Sequence, residues 1–180
     1  MNSKFFMLEQ NITTTIYEGL LKIGYENNEN FSIFYDLDLL NYLLTTDFKT
    51  NEECYIYLED FCREVEPRLG NLTICLEKRR FKFTVPKEGI KNIYKLYEKD
   101  DYLKHLIDLV KTHNFNLDDV LHIFDESGHS YICEESSNEE FQYVIYLKDS
   151  SIDPYRYCFA FDQMGGYYHR LLDYDYQKVI

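Results

Sequence analysis

The middle of the chain carries four residues of the types that bind divalent metal ions. They form the pattern H-x-x-D-E-x-x-H and are His122, Asp125, Glu126 and His129. Imidazole and carboxylate groups at a predicted helix end are suitable ligands for zinc and related ions. A cation there would also offset the unfavourable position of two acids at the negative end of a helix dipole. Because the spacing matches no strong metal-binding signature, an exposed acidic helix end is the favoured interpretation and a metal site is the alternative.

A second candidate site lies in the C-terminal region, where cationic and titratable groups stand among aromatic residues. Its members are Tyr146, Arg156, His169 and Arg170. These groups suit contact with a ligand or a protein partner, although a cation–π contact within the protein is the more common outcome. A hairpin turn is expected at Gly165-Gly166. A two-residue turn pairs Phe161 with Arg170 and a three-residue turn pairs it with His169, and the sequence leaves both registers open.

The stretch from Arg68 to Lys99 is charged oppositely to the rest of the chain. It has nine basic and three acidic residues, a net charge of +6, so the remainder carries −19. A hairpin tip, Lys78-Arg79-Arg80, precedes a helix with a lysine at every fourth position: Lys87, Lys91, Lys95 and Lys99. The groups proposed for an anion or an acidic partner are Arg79, Arg80, Lys87 and Lys91. The competing interpretation is a solvated surface whose basic side chains protect an edge strand.

The segment from Phe31 to Leu40 resembles the first motif of the haloacid-dehalogenase-type phosphatases. In that motif a strand ends in Asp-x-Asp and the first aspartate is the nucleophile. Asp36 and Asp38 hold those positions, but Leu40 stands where the motif has Thr or Val, and no parallel sheet of strand–helix units follows. We therefore expect the two aspartates to cap a helix. The sequence also contains no nucleophile elbow, no phosphate-binding loop and no dinucleotide fingerprint. No catalytic residue and no cofactor is predicted, which argues against an enzyme without excluding one.

The composition limits the class of protein further. The chain has 180 residues, a net charge of −13, 45% hydrophobic residues and 17% aromatic residues, which is typical of a folded domain with a continuous core. No apolar run approaches the roughly 20 residues that span a bilayer, and the negative charge disfavours general nucleic-acid binding. The first residues do not resemble a secretory signal, and the five cysteines show no C-x-x-C pair. A cytoplasmic protein with reduced cysteines and no membrane association is expected.

Periodic apolar residues predict the elements that position these groups. Helical spacing is expected over about 3–23, 39–44, 51–66, 87–99, 101–113 and 117–127. A capping box of Thr50 and Glu53 should begin the third of these helices, and Pro67 and Gly70 should end it. Alternating residues predict strands over 31–35, 72–76 and 81–85, and four final runs over 130–134, 141–148, 155–162 and 167–172.

These elements predict an α+β fold. Its antiparallel sheet is built from a central hairpin and a C-terminal four-stranded meander, packed with the N-terminal and middle helices. No internal repeat or linker divides the chain, so a single domain over 1–180 is expected, with a helical and hairpin part over 1–128 and the meander over 129–180.

The order of these elements resembles a small bacterial family of unknown function and about this length. The resemblance lies in the N-terminal amphipathic helix, the segment Phe31–Leu44, the hairpin Gly70–Pro86, and the C-terminal run from Tyr155 to Phe159 that leads to Tyr168-His169-Arg170. It implies a bacterial protein and supplies no catalytic residues.

The functional prediction is a module that binds a protein partner or regulates it, with an immunity or inhibitor role as one version. Its acidic, tyrosine-rich C-terminal half would contact the partner, because tyrosine adds contact area at low entropic cost. The alternative is a small-molecule or metal-dependent enzyme or ligand-binding domain that uses one of the first two sites.

Overall fold

The computed structural model describes residues 3–24, 29–97 and 102–179, and the chain divides into two compact units. Unit 1 comprises residues 1–100 and unit 2 comprises residues 101–180. Each unit combines helices with an antiparallel sheet, which confirms the predicted α+β class. The single domain with its inner division after residue 128 stays a prediction.

Unit 1 is built around a three-stranded sheet. Its elements are α1 (Phe6–Ile23), β1 (Phe31–Tyr35), α2 (Leu37–Leu44), α3 (Asn51–Leu69), β2 (Thr73–Glu77), β3 (Arg80–Val85) and α4 (Lys87–Tyr97). The strand order is β1-β3-β2 and both pairs are antiparallel, so the predicted hairpin is confirmed and β1 completes the sheet. Phe83 on the central strand is fully buried and meets Phe61 of α3, with ring centroids 6.2 Å apart. The sheet therefore buries one face against the helices.

The helix starts in unit 1 follow local rules. Asp36 caps α2, since its carboxylate accepts the backbone N–H of Leu39 at 2.8 Å, which confirms the capping interpretation for this member of the aspartate pair, while Asp38 lies in the first turn of the helix. Thr50 and Glu53 form the predicted capping box at the start of α3. The prediction that Pro67 helps to end α3 is wrong, because the helix continues to Leu69. Leu69 is buried, so the last turn is held by packing although proline removes one backbone hydrogen bond.

Unit 2 is built around the four-stranded meander. Its elements are α5 (Tyr102–Lys111), α6 (Leu117–Glu126), β4 (Tyr131–Glu135), β5 (Tyr143–Leu147), β6 (Tyr155–Asp162), β7 (Gly165–Leu172) and α7 (Asp173–Tyr176). The strand order is β4-β5-β6-β7, and the predicted four-stranded meander is confirmed. One face of the sheet packs against α6, where the ring centroids of Tyr157 and Phe124 lie 5.3 Å apart. We call this face the helical side. The opposite face buries Cys158 with Tyr176 of α7.

The hairpin between β6 and β7 differs from the prediction. Phe161 lies opposite Gly166 and Asp162 opposite Gly165, so the two-residue turn is Gln163-Met164 and neither predicted register is correct. The Asp162 carboxylate accepts the backbone N–H of Met164 at 2.6 Å, which stabilises this turn.

The two glycines lie in β7 because another backbone segment passes close to them. A Cβ atom on Gly165 would lie 1.8 Å from the carbonyl oxygen of His113, and one on Gly166 would lie 2.4 Å from the ring of Phe115. The N–H of Gly166 donates to the His113 carbonyl at 3.2 Å. These glycines therefore permit the loop between α5 and α6 to contact the sheet.

Two sequence expectations meet the limits of the described residues. Lys99, the last member of the lysine stripe, lies outside them, as does the predicted start of α5 at residue 101. Among the helices described, none combines the length and the hydropathy needed to cross a bilayer.

Candidate functional site

Two of the four residues predicted for the C-terminal site, Tyr146 and Arg156, belong to a chain of contacts on one face of the unit 2 sheet. The Arg156 guanidinium lies 3.5 Å from the ring centroid of Tyr146, and its Nε donates to the Asp173 carboxylate at 2.7 Å. The Tyr146 hydroxyl in turn donates to Glu134 at 3.4 Å. Burial lowers the pKa of Arg156, but the hydrogen bonds to Asp173 and Tyr146 outweigh burial and raise the pKa overall. Arg156 is thus a bound cation that holds α7 against the sheet.

His169 and Arg170 lie on opposite faces of β7. His169 is directly opposite Cys158, is exposed, and lies with its ring centroid 5.6 Å from that of Phe141. Arg170 is opposite Tyr157 on the helical side, with its guanidinium 3.5 Å from the ring centroid of Tyr155. Because neighbouring strand residues point to opposite faces, the four predicted residues do not form one site.

The predicted basic patch is also divided. Lys78 and Arg79 form the two-residue turn of the β2–β3 hairpin, and both have positive φ. Arg80 follows at the start of β3, whereas Lys87 and Lys91 lie on the exposed side of α4 beyond the other end of that strand. The length of β3 places roughly 17 Å of extended chain between the two groups. Arg80 lies 5.7 Å from the ring centroid of Phe34 on the open face of the sheet.

The four residues of the metal hypothesis make other contacts. His122 lies 3.3 Å from Glu126 one turn along α6, and Asp125 accepts a hydrogen bond from the Tyr131 hydroxyl at 2.7 Å. His129 lies beside the ring of Tyr102, with centroids 6.2 Å apart. In the part of the chain that the structure describes, no three His, Cys, Asp or Glu residues are grouped so that they could hold a metal ion. The metal site stays a prediction without support from this arrangement.

Sequence reasoning missed a cluster around Asp153. The hydroxyls of Tyr102 and Tyr157 both donate to Asp153 Oδ2, the second at 2.5 Å, and the two hydroxyl oxygens lie 3.1 Å apart. The backbone N–H of Tyr155 donates to Asp153 Oδ1 at 2.9 Å. Burial and the charge of Asp153 raise the pKa of Tyr157 well above its usual range, against a smaller opposing effect of Arg170. Tyr157 therefore keeps its proton and remains a donor.

This cluster, Tyr102–Asp153–Tyr157, joins the first turn of α5 to the start of β6. Because Asp153 accepts three hydrogen bonds from two separate elements, the cluster acts as a structural anchor. No local signal could have found it, because Tyr102 and Asp153 are 51 positions apart.

The surface of unit 2 carries exposed acidic side chains at the edge strand β4. Glu134 and Glu135 end this strand, and Glu139 and Glu140 follow in the turn to β5. We call these four residues the acidic edge. Asn138 orders the turn, since its side-chain oxygen accepts the N–H of Glu140 at 2.7 Å. None of the four forms an ion pair among the described residues.

Charge within unit 2 is strongly unbalanced. Its sequence contains six basic and fifteen acidic residues, a net charge of −9. Arg156 is bound to Asp173, Arg170 lies over Tyr155, and Lys178 lies 3.8 Å from the ring centroid of Tyr174. These three cations therefore contact other groups of unit 2 and do not neutralise the charge of the acidic edge.

The comparisons with known proteins give a family and nothing finer. Residues 5–180 match the model of a bacterial family whose description reads "Domain of unknown function, E. rectale Gene description (DUF3877)". Searches of curated proteins and of solved structures each found no match.

Proposed function

The chain belongs to this bacterial family of unknown function, and we propose that it is a partner-binding module that recognises a basic protein surface through unit 2. The proposal rests on the acidic edge, whose four carboxylates are exposed and make no ion pair among the described residues. Such a surface attracts a basic partner over roughly 8 Å at physiological salt.

The state of the buried and half-buried polar groups of unit 2 supports binding of a macromolecule over binding of a small ligand at the sheet. Arg156 has an aromatic ring and a carboxylate as close partners, and Asp153 accepts three hydrogen bonds. Groups that are already satisfied inside the protein offer little to a small ligand, because each new contact must replace an existing one. The exposed charges remain available to a partner that covers them from outside.

Exposed apolar side chains near the strand ends of unit 2 could complete such an interface. Met164 in the β6–β7 turn is 82% exposed, and Tyr167 on β7 is 49% exposed. Aromatic and methionine side chains are enriched in interfaces, where they add buried area beside polar contacts.

The test is capture of a partner by the immobilised full-length chain from a lysate of the bacterium that encodes it. We expect a protein with a basic surface to bind at low salt and to be lost between about 0.05 and 0.5 M salt, where screening shortens to a few ångströms. Neutralising the acidic edge with Glu134→Gln, Glu135→Gln, Glu139→Gln and Glu140→Gln should lower the captured amount at least about tenfold.

The matched control removes the same number of charges from exposed positions of unit 1. Its substitutions are Glu29→Gln, Asp38→Asn, Glu66→Gln and Glu88→Gln, and capture should be retained. Capture that is equal in both variants, or that does not change with salt, would rule out recognition by the acidic edge.

A further inference from the structure

Strand β2 forms an open edge of the unit 1 sheet. It pairs with β3 alone among the described residues, and four of its five residues are exposed. In an antiparallel ladder the N–H and C=O of one residue point to the same side, and the side alternates along the strand. The Ile74 carbonyl accepts a hydrogen bond from the Tyr55 hydroxyl at 3.1 Å. The N–H and C=O of Ile74 therefore point away from β3, and those of Leu76, two residues on, point to the same side. The Ile74 N–H and both backbone groups of Leu76 are the groups that another strand would bind, and the Ile74 carbonyl keeps a second lone pair beside the bond from Tyr55.

An apolar groove runs along this edge between β2 and α3. Tyr55 crosses it and separates a cavity of about 410 Å³ beside Leu76 from one of about 290 Å³ beside Ile74. Ile56 at the first cavity is 69% exposed, and Leu76 is 48% exposed. Leu76 lies opposite the buried Phe81 on the neighbouring strand, so an additional partner at this edge would cover an apolar side chain that is now exposed.

The geometry points to a second copy of this chain as the occupant, with the two β2 strands paired antiparallel about a two-fold axis at Cys75. In this register Ile74 of each copy lies opposite Leu76 of the other copy. The interface therefore contains two such pairs, and each apolar side chain meets another apolar side chain. The exposed rings and aliphatic groups of Tyr55, Ile56 and Leu76 are then covered in both copies. A self-complementary strand of this kind is what a two-fold interface requires.

Charges at the two ends of the groove fit the same axis. Glu52 lines the cavity beside Leu76, and Arg63 lines the cavity beside Ile74. Because the axis exchanges Ile74 with Leu76, it brings Glu52 of one copy to the end of the groove that holds Arg63 of the other. Arg63 meets Asp60 of its own helix at 2.9 Å, an exposed pair of low energetic value, so it remains available to the second copy.

The edge strand of unit 2 shows the opposite pattern. Pairing β4 with itself about its central residue, Cys133, would place Ile132 opposite Glu134 and Tyr131 opposite Glu135. Apolar groups would face carboxylates, and four acids would approach one another. Carboxylates protect β4 from strand addition in this way, whereas β2 has one acid, at its end.

The first test is the mass of the full-length chain by sedimentation velocity between about 1 and 100 μM. We expect a concentration-dependent dimer. Ile56→Glu should weaken the dimer at least tenfold, whereas Leu96→Glu should leave it unchanged. The two side chains are matched, since Leu96 lies on α4 of the same unit and is 70% exposed. A chain that is monomeric throughout this range, or a dimer equally sensitive to both variants, would overturn the inference.

The second test uses the cysteine at the axis. The inferred register makes Cys75 a non-hydrogen-bonded pair with its copy, at a Cα separation of about 4.5 Å, which is within the range that permits a disulfide. Diamide, which accepts the two electrons and two protons released, should give a covalent dimer that Cys75→Ser abolishes and Cys133→Ser does not. Both cysteines are exposed, so accessibility alone would not separate them. A covalent dimer that survives Cys75→Ser would contradict this register.

Discussion

Replacing Asp153 tests whether the Tyr102–Asp153–Tyr157 cluster anchors unit 2. Asp153→Ala removes the acceptor of two phenols and of the Tyr155 N–H. Tyr157 is 1% exposed, so water does not easily replace the lost bond, while the two hydroxyls can still bond each other across 3.1 Å. One buried donor that is left without an acceptor costs about 1–3 kcal/mol, and the hydrogen bond of a second donor is weakened. We therefore expect the free energy of unfolding to fall by about 2–4 kcal/mol.

Asp153→Asn removes the charge but keeps an acceptor for the phenols. Its carbonyl oxygen has two lone pairs for them, whereas its NH2 group replaces the acceptor of the Tyr155 N–H, so the loss should be about 1 kcal/mol, that of one hydrogen bond. Asp149→Ala in the same loop is the control, because its side-chain partner is the exposed Ser151 and the free energy of unfolding should stay close to that of the wild type. The measurement is urea unfolding followed by far-ultraviolet circular dichroism and tyrosine fluorescence. An Asp153→Ala chain as stable as the Asp149→Ala chain would refute the anchoring role.

Three further predictions concern packing, pH and metal. Gly165→Ala should cost about 3 kcal/mol of unfolding free energy, because φ is 133° and the new Cβ would meet the His113 carbonyl; thermal melts that match the wild type would contradict this. Burial raises the pKa of Cys158 to about 12 and of Cys54 to about 11. As the pH rises, both thiols therefore ionise in the unfolded chain before they ionise in the folded one. The free energy of unfolding should not depend on these thiols below pH 8, and above pH 9 each thiol should lower it by about 1.4 kcal/mol per pH unit. Urea unfolding at pH 8 and 10 should show this fall, and Cys158→Ala should reduce it. Zinc should not shift the melting temperature, because Asp125 and His122 have other partners; a shift that His122→Ala abolishes would restore the metal hypothesis.

Local patterns predicted most of the secondary structure correctly. The capping box at Thr50, the aspartate cap of α2 and the alternating residues of β6 each depend on neighbours within a few positions. The resemblance to a bacterial family of unknown function is also confirmed, over residues 5–180. Spacing within a segment is enough for these features because the forces that produce them are local.

The departures from prediction arise where distant segments meet. A pair of glycines suits a turn or a close backbone approach equally well, and the choice at Gly165-Gly166 depends on the loop that carries His113. Arg156 is predicted as a ligand contact, but its partner Asp173 becomes visible only when α7 is placed against the sheet. The candidate sites therefore depended on tertiary contacts that no motif in the sequence encodes.

Zero-length cross-linking of the captured complex tests the proposed function most directly. A carbodiimide joins carboxylates to lysine amines that are in contact, and mass spectrometry then identifies the joined residues. The proposal predicts links from Glu134, Glu135, Glu139 or Glu140 to lysines of the partner. An intact complex whose links all start from acids of unit 1, or that gives no link from the acidic edge, would contradict it.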